Sequence, residues 1–214
     1  MTFYRLPLLS DGQLELWLSC CAPMVDKAWA PSYQFFIFPA GTLRKDGSLP
    51  CADPESAGPL GHIHLRLGMN DNIYYGGHIG YGVRERARGH GIAARACRIV
   101  APLARAHDME ELIITTTPDN VASIKTIEHL GASFEGNVGV PRYHDLYRRG
   151  EKVGCPDGWD ISGVPPPTGL TPLAPTDWSD AVEQPFRGNF KAACKHGNNP
   201  QTPTIHQTHH QNKR

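Results

Sequence analysis

The sequence has no surplus of charge of either sign: 21 Lys and Arg face 21 Asp and Glu in 214 residues. A surface that neutralises a phosphate backbone needs clustered excess cation, so nucleic acid is not expected as the main partner. No stretch approaches the roughly 20 apolar residues of a membrane span, so no membrane partner is expected either. The early Leu6-Pro7-Leu8-Leu9 is followed by Asp11 and Glu15, which interrupt a secretory apolar segment. A soluble, cytoplasmic protein is the expectation. The six cysteines, Cys20, Cys21, Cys51, Cys97, Cys155 and Cys194, lack a CxxC pair and any regular spacing. They read as reduced thiols, with neither a disulfide framework nor a metal site. Also absent is the Gly-Lys-Ser/Thr of a nucleotide P-loop.

The length suits one packed domain plus an appendage. Composition changes near Ile161-Ser162, where Pro165-Pro166-Pro167 opens a stretch rich in Pro, Thr, Asn, Gln and His. The expected division is a domain over 1–161 and a disordered tail over 162–214. In that tail Cys194, His196, His206, His209 and His210 repeat no known ligand spacing.

Within the domain, Leu14, Leu16 and Leu18 alternate with polar or aromatic residues, and Ser32 to Phe38 is aromatic-rich; both predict strands. Residues 39–59, punctuated by Pro and Gly, predict a long loop. Ile63, Leu65 and Leu67 alternate with His62, His64 and Arg66 and predict a strand. A turn at 69–72 and a second strand from Ile73 to Val83 would complete an antiparallel hairpin. From Ile92 the period becomes helical through Ala96, Ile99 and Leu103, with Pro102 expected to kink or shorten the last turn. Leu112 to Thr117 reads as a buried strand stopped by Pro118. A helix capped by Asn120 and ended at Gly131 follows, then further strands within 132–140 and 143–161. The expected architecture is an α/β (α+β) domain with one mixed, mostly antiparallel sheet flanked by helices.

Chemistry concentrates in Gly80-Tyr-Gly-Val-Arg-Glu-Arg-Ala-Arg-Gly-His-Gly-Ile-Ala-Ala94, which ends a strand, turns through glycines and opens a helix. Free N–H groups at a helix start, with the helix dipole behind them, cradle phosphate. Arg84, Arg86 and Arg88 add positive charge there, at about 1.5–3 kcal/mol per charge-assisted hydrogen bond. A pyrophosphate is the natural guest. Gly89-His-Gly91-Ile-Ala-Ala94 also satisfies the relaxed dinucleotide pattern, but its preceding strand is half of a hairpin and not the start of a βαβ unit.

Arg88-Gly-His-Gly91-Ile-Ala93 resembles the R-x-x-G-x-A motif of the GNAT N-acetyltransferase superfamily, and Arg86 to Gly91 fits its R-x-x-G-x-G form in another register. Asp119-Asn120-Val-Ala-Ser123 through Gly131 resembles that superfamily's second motif helix. Gly77-His-Ile-Gly-Tyr81 and Arg142-Tyr143 resemble a bacterial-type branch of it. The likeness covers about 60–135. It implies a GNAT-like fold using acetyl-CoA as cosubstrate, with no metal. It further implies that Tyr81, Gly82 and Val83 pair with the pantetheine arm, that Arg88, Gly89, His90, Gly91, Ile92 and Ala93 hold the pyrophosphate, and that Asn120 lies near the cofactor. The implied activity is transfer of acetyl to a primary amine of a small molecule or peptide. A GNAT-fold acyl-CoA sensor or scaffold without turnover is the alternative, and a homodimer is compatible with either. Where many relatives carry a tyrosine that protonates the leaving thiolate, this chain has Ile127. Candidates for acid or base are therefore His78, Tyr81 and Tyr143, with His144 beside the last; Glu128 reads as a solvated helix residue.

Overall fold

The computed structural model describes residues 2–22, 30–42 and 58–174. The elements are β1 (Tyr4–Arg5), β2 (Leu9–Ser10), β3 (Leu14–Ala22), β4 (Ser32–Pro39), β5 (Gly61–Arg66), α1 (Asp71–Gly76) and β6 (Ile79–Val83). After a single 3-10 turn come α2 (Ile92–Arg105), β7 (Glu111–Thr116), α3 (Val121–Leu130), β8 (Ser133–Phe134), β9 (Val138–Gly139), α4 (Asp145–Arg148), β10 (Val153–Asp160) and β11 (Thr171–Pro172).

Antiparallel pairing joins β2-β3-β4-β5-β6 into one sheet, and β7-β10-β8, with β9 also on β10, into another. The sequence predicts a single sheet; the chain instead divides it between β6 and β7. Those strands touch at one end only. There the His78 N–H donates to the Ile113 carbonyl at 2.7 Å, and the Ile113 N–H donates to His78 Nδ1 at 2.8 Å. Beyond that point β6 pairs, among the described residues, with β5 alone.

The α2 stripe Ile92, Ala96, Val100 and Leu103 packs on Leu14, Leu16, Phe35, Ile63 and Leu65, all buried. Small residues on that stripe let the helix lie close to the sheet. Pro102 neither ends nor shortens α2, which runs three residues past it with the Ala106 N–H closing on the Pro102 carbonyl at 3.1 Å. On the second sheet, Leu112, Ile114 and Trp159 face the same core as Ile127 and Leu130 of α3.

The strand predicted from Ile73 to Val83 is wrong in its first half. Asn70 accepts the Ile73 N–H at 3.0 Å and starts α1, whose single buried anchor is Ile73. Local capping outweighs the apolar alternation there. Similarly, residues 143–161 do not run as one strand: α4 intervenes before β10 begins at Val153. Past the composition change at Ile161 the described chain remains packed, since Thr171–Pro172 pairs with Tyr4–Arg5 and Leu173 is 6% exposed. Most of the loop predicted over 39–59 lies outside the described residues, as do Cys51, Cys194, His196, His206, His209 and His210. Among the described residues no helix is long and apolar enough to cross a membrane.

Candidate cofactor and acyl-transfer site

Among the described residues, separation of the two sheets leaves one edge of β6 without a paired strand. The Arg66 N–H donates to the His78 carbonyl and the Arg84 N–H to the Leu60 carbonyl, both at 2.8 Å. In an antiparallel ladder bonded positions alternate, so 78, 80, 82 and 84 face β5. The main-chain groups of Tyr81 and Val83 therefore point into the gap, where the Arg88 Nε–H reaches the Val83 carbonyl at 3.1 Å.

That edge leads into the glycine turn. Gly91 takes φ 69°, ψ 13°, a left-handed conformation that admits glycine without strain, and α2 starts at Ile92 with no side chain capping it. Gly89, also at positive φ, His90 and Gly91 are exposed. Among the described residues the N–H groups of 89–94 donate to no acceptor. Arg88 and His90 are exposed beside them, the His90 ring donating to the Arg88 carbonyl at 2.8 Å. These open amides, a helix start and nearby cation are what a diphosphate requires. A depression of about 390 Å³ flanks the turn between Pro39, Leu60, Arg86, His90 and Ile92.

Asn120 sits at the start of α3, its side-chain oxygen accepting the Ser123 N–H at 3.2 Å, and Gly131 ends the helix in the left-handed conformation. Ile127 is buried at 3% exposure, so this helix offers hydrocarbon at that position. A hydroxyl nevertheless arrives from β6. Tyr81 Oη lies 2.8 Å from Ser123 Oγ, one helical turn before Ile127 and on the same side of α3. Burial raises the Tyr81 pKa despite the Ser123 hydrogen bond.

The other sequence candidates fare differently. His78 is buried, with Nδ1 accepting from Ile113 and the ring also bonded to the Gly68 backbone; burial first, and Arg66 after it, lower its pKa to about 4. A neutral ring bonded at both nitrogens has no lone pair to offer a substrate, and His78 ties the two sheets together. Tyr143 is 65% exposed and stands before α4, not on a strand. His144 is buried and its Nδ1 caps α4 by accepting the Leu146 N–H at 3.1 Å. Glu128 is exposed, as read.

Two groups at the site escape the sequence reading. On the far side of β6 the His64 and His62 rings lie over Gly80 and Gly82, where a Cβ would meet the rings at 2.2 and 2.5 Å. Burial, helped by Arg66, lowers the His64 pKa to about 3. The second is Asp157, 6% exposed in the middle of β10. The local sequence Cys155-Pro-Asp-Gly-Trp159 carries no strand periodicity and resembles a turn, which hides it. Among the described residues no cluster of His, Cys, Asp and Glu is arranged to hold a metal.

A gap between sheets, a strand edge unpaired among the described residues and an amide cradle at a helix start thus lie together on one side of the chain. A family model for the acetyltransferase (GNAT) domain matches residues 7–133, and the chain belongs to that family. Among solved structures it is similar to the ribosomal-protein-S5-alanine acetyltransferase of Vibrio fischeri, at 16% identity and TM-score 0.43, over 63% of this chain and 64% of that one. It is also similar to RimJ of Mycobacterium smegmatis in complex with CoA disulfide, at 18% identity and TM-score 0.41, over 63% and 55%. The chain thus spans less than two thirds of the length of either structure. No curated protein matches the sequence.

Proposed function

We propose that the protein is an N-acetyltransferase that moves acetyl from acetyl-CoA to a primary amine of a small molecule or peptide. The observation that carries this reading is the continuity of the free β6 edge with the open amides at the start of α2. Tyr81 and Val83 would bind the pantetheine amides as an added strand would, with Gly82 between them turned to β5. Arg88, Gly89, His90, Gly91, Ile92 and Ala93 would hold the diphosphate, and Asn120 would stand at the rim. The thioester supplies an activated acetyl group. The protein's part is to align an amine against it, to drain a proton from that amine and to protonate the leaving sulfur.

Tyr81, hydrogen-bonded to Ser123, is suited to the last task. Its raised pKa keeps it protonated near neutrality, so it can donate toward developing thiolate charge. Tyr81→Phe is expected to lower kcat by about 100-fold, within the usual range for one acid–base group, while the KM for acetyl-CoA stays within a few-fold. Steady-state kinetics check this, and an unchanged kcat would remove Tyr81 from the mechanism.

Burial of Ile127 favours a second reading, an acyl-CoA sensor without turnover. Free CoA thiol release over a panel of amines, against heat-killed protein, separates the two. Turnover with at least one amine supports the transferase. Binding of acetyl-CoA, seen as a raised Tm, without turnover on any amine supports the sensor.

A further inference from the structure

An alkylamine with pKa near 10.4 is about one part in a thousand neutral at physiological pH, so acetyl transfer needs a group to receive its proton. Such a group must sit at the gap between the sheets, lack a permanent cation, and carry charge near neutrality. Asp157 has that placement. It pairs with Ile114 on β7 and Phe134 on β8, while its neighbours along one face of β10, Cys155 and Trp159, pair with Thr116 and Leu112. Directly opposed residues project to the same side of an antiparallel sheet. Leu112, Ile114 and Trp159 belong to the core under α2 and α3, so the carboxyl projects to the side where Ile127 lies and where Tyr81 meets Ser123.

The carboxyl is buried, yet among the described residues it accepts no hydrogen bond and makes no ion pair. A carboxyl this little exposed and without a partner holds its charge at a cost. Next to it on the same face, Thr116 Oγ1 is buried and also lacks a partner. A carboxyl that makes no hydrogen bond among the described residues and a buried, unsatisfied hydroxyl thus flank the end of the gap where Tyr81 supplies its own hydroxyl. Titratable groups bearing on Asp157 are Glu135, just past β8, Cys155 on its own strand and Tyr81 on β6. None is a cation. Burial first, and Glu135 second, raise the Asp157 pKa to about 6.

We propose that Asp157 is the general base of the acetyl transfer, accepting the proton of the acceptor amine directly or through one water; this rests on the transferase reading above. The amine nitrogen gives that proton to the carboxylate and forms a bond to the thioester carbonyl carbon. As the resulting tetrahedral adduct collapses, the carbon–sulfur bond breaks with its electron pair on sulfur, the thiolate takes a proton from Tyr81, and the nitrogen gives its second proton to the Tyr81 phenolate, directly or through water. Asp157 returns its proton to solvent, the one proton released per turnover.

The test is Asp157→Asn beside wild type, with kcat/KM for the amine measured from pH 5 to 9. Wild type should show an acidic limb with a midpoint near 6. The variant should lose about 100-fold or more in kcat/KM and lose that limb, while acetyl-CoA still raises its Tm as in wild type. Stability supplies a second readout. A folded carboxyl that holds its proton to about pH 6, against about 3.9 unfolded, takes up a proton on folding between those values. Stability therefore falls as pH rises through that window and stays low above it. Asp157→Asn removes the penalty, so its Tm without ligand should exceed that of wild type at pH 8, the difference shrinking toward pH 4.

Activity within three-fold of wild type with the limb intact overturns the role of Asp157 and leaves the transferase standing. Absence of turnover by wild type on every amine overturns the transferase and this role with it. A variant that unfolds or melts lower at pH 8 also overturns the proposal, because the carboxylate would then be holding the fold together.

Discussion

Gly91→Glu is expected to abolish the rise in Tm that acetyl-CoA gives to the wild-type chain. Gly91 directly precedes α2 at φ 69°, and a Cβ built there meets nothing within 4 Å. The new side chain therefore has room in the protein and projects among the open amides of 89–94. A carboxylate among those donors competes for them and repels a diphosphate. Loss of two charge-assisted bonds at about 1.5–3 kcal/mol each weakens binding by roughly 100-fold or more. At a ligand concentration 100 times the wild-type Kd, about 2.7 kcal/mol of ligand-induced stabilisation should vanish. Gly91→Asn is the control, because Asn tolerates the left-handed conformation and carries no charge. It should keep most of the shift. If Glu and Asn variants retain equal shifts, the diphosphate does not lie against this turn.

The turn itself is legible in the sequence because its chemistry is local. Glycines at positive φ, arginines on the loop and helical period from Ile92 all lie within about fifteen residues, and the structure places each where the pattern puts it. Asn120 and Gly131 are legible for the same reason: caps are short-range devices. The division of the sheet between β6 and β7 is not. It depends on a bond between His78 and Ile113, 35 residues apart, in which a histidine ring takes the place of a carbonyl. A histidine in a strand pattern reads equally as surface, ligand or catalyst until its partners are seen. Asp157 is hidden for a related reason. Its neighbours Pro156 and Gly158 signal a turn, and only pairing with β7 and β8 shows that the carboxyl is buried in a strand. Helix α1 misleads in the opposite direction, since Ile73, Tyr75 and Ile79 keep an alternating pattern that Asn70 overrides by capping.

Because the gap opens where the two sheets meet, a large loss of stability from a single added methyl group is expected at Gly77→Ala. Gly77 has φ 73° and ψ 160°, a region essentially restricted to glycine, so alanine there costs about 1–3 kcal/mol in strain alone. Its Cβ would also stand 3.0 Å from both the Ile113 oxygen and the Thr115 nitrogen. Those are backbone atoms of β7, held on the other side by β10, and they cannot swing aside as a side-chain tip can. Relief requires β7 to move away from His78, which lengthens the two bonds that join the sheets. The Arg66 guanidinium, bonded to the Gly76 and Gly77 carbonyls at 3.0 and 2.7 Å, holds the segment from the opposite direction. A total cost of about 3–5 kcal/mol is expected, or roughly 10 °C in Tm for a domain of this size. Gly89→Ala isolates the strain, since Gly89 has φ 81° but open space around its Cβ, and should cost only about 1–2 kcal/mol. Thermal melts of both variants without ligand decide the matter. Equal losses would mean that β7 yields freely and that the His78 junction does not fix the spacing of the two sheets. A loss at Gly77 several degrees larger would place the stability of the domain and the geometry of its gap in the same two hydrogen bonds.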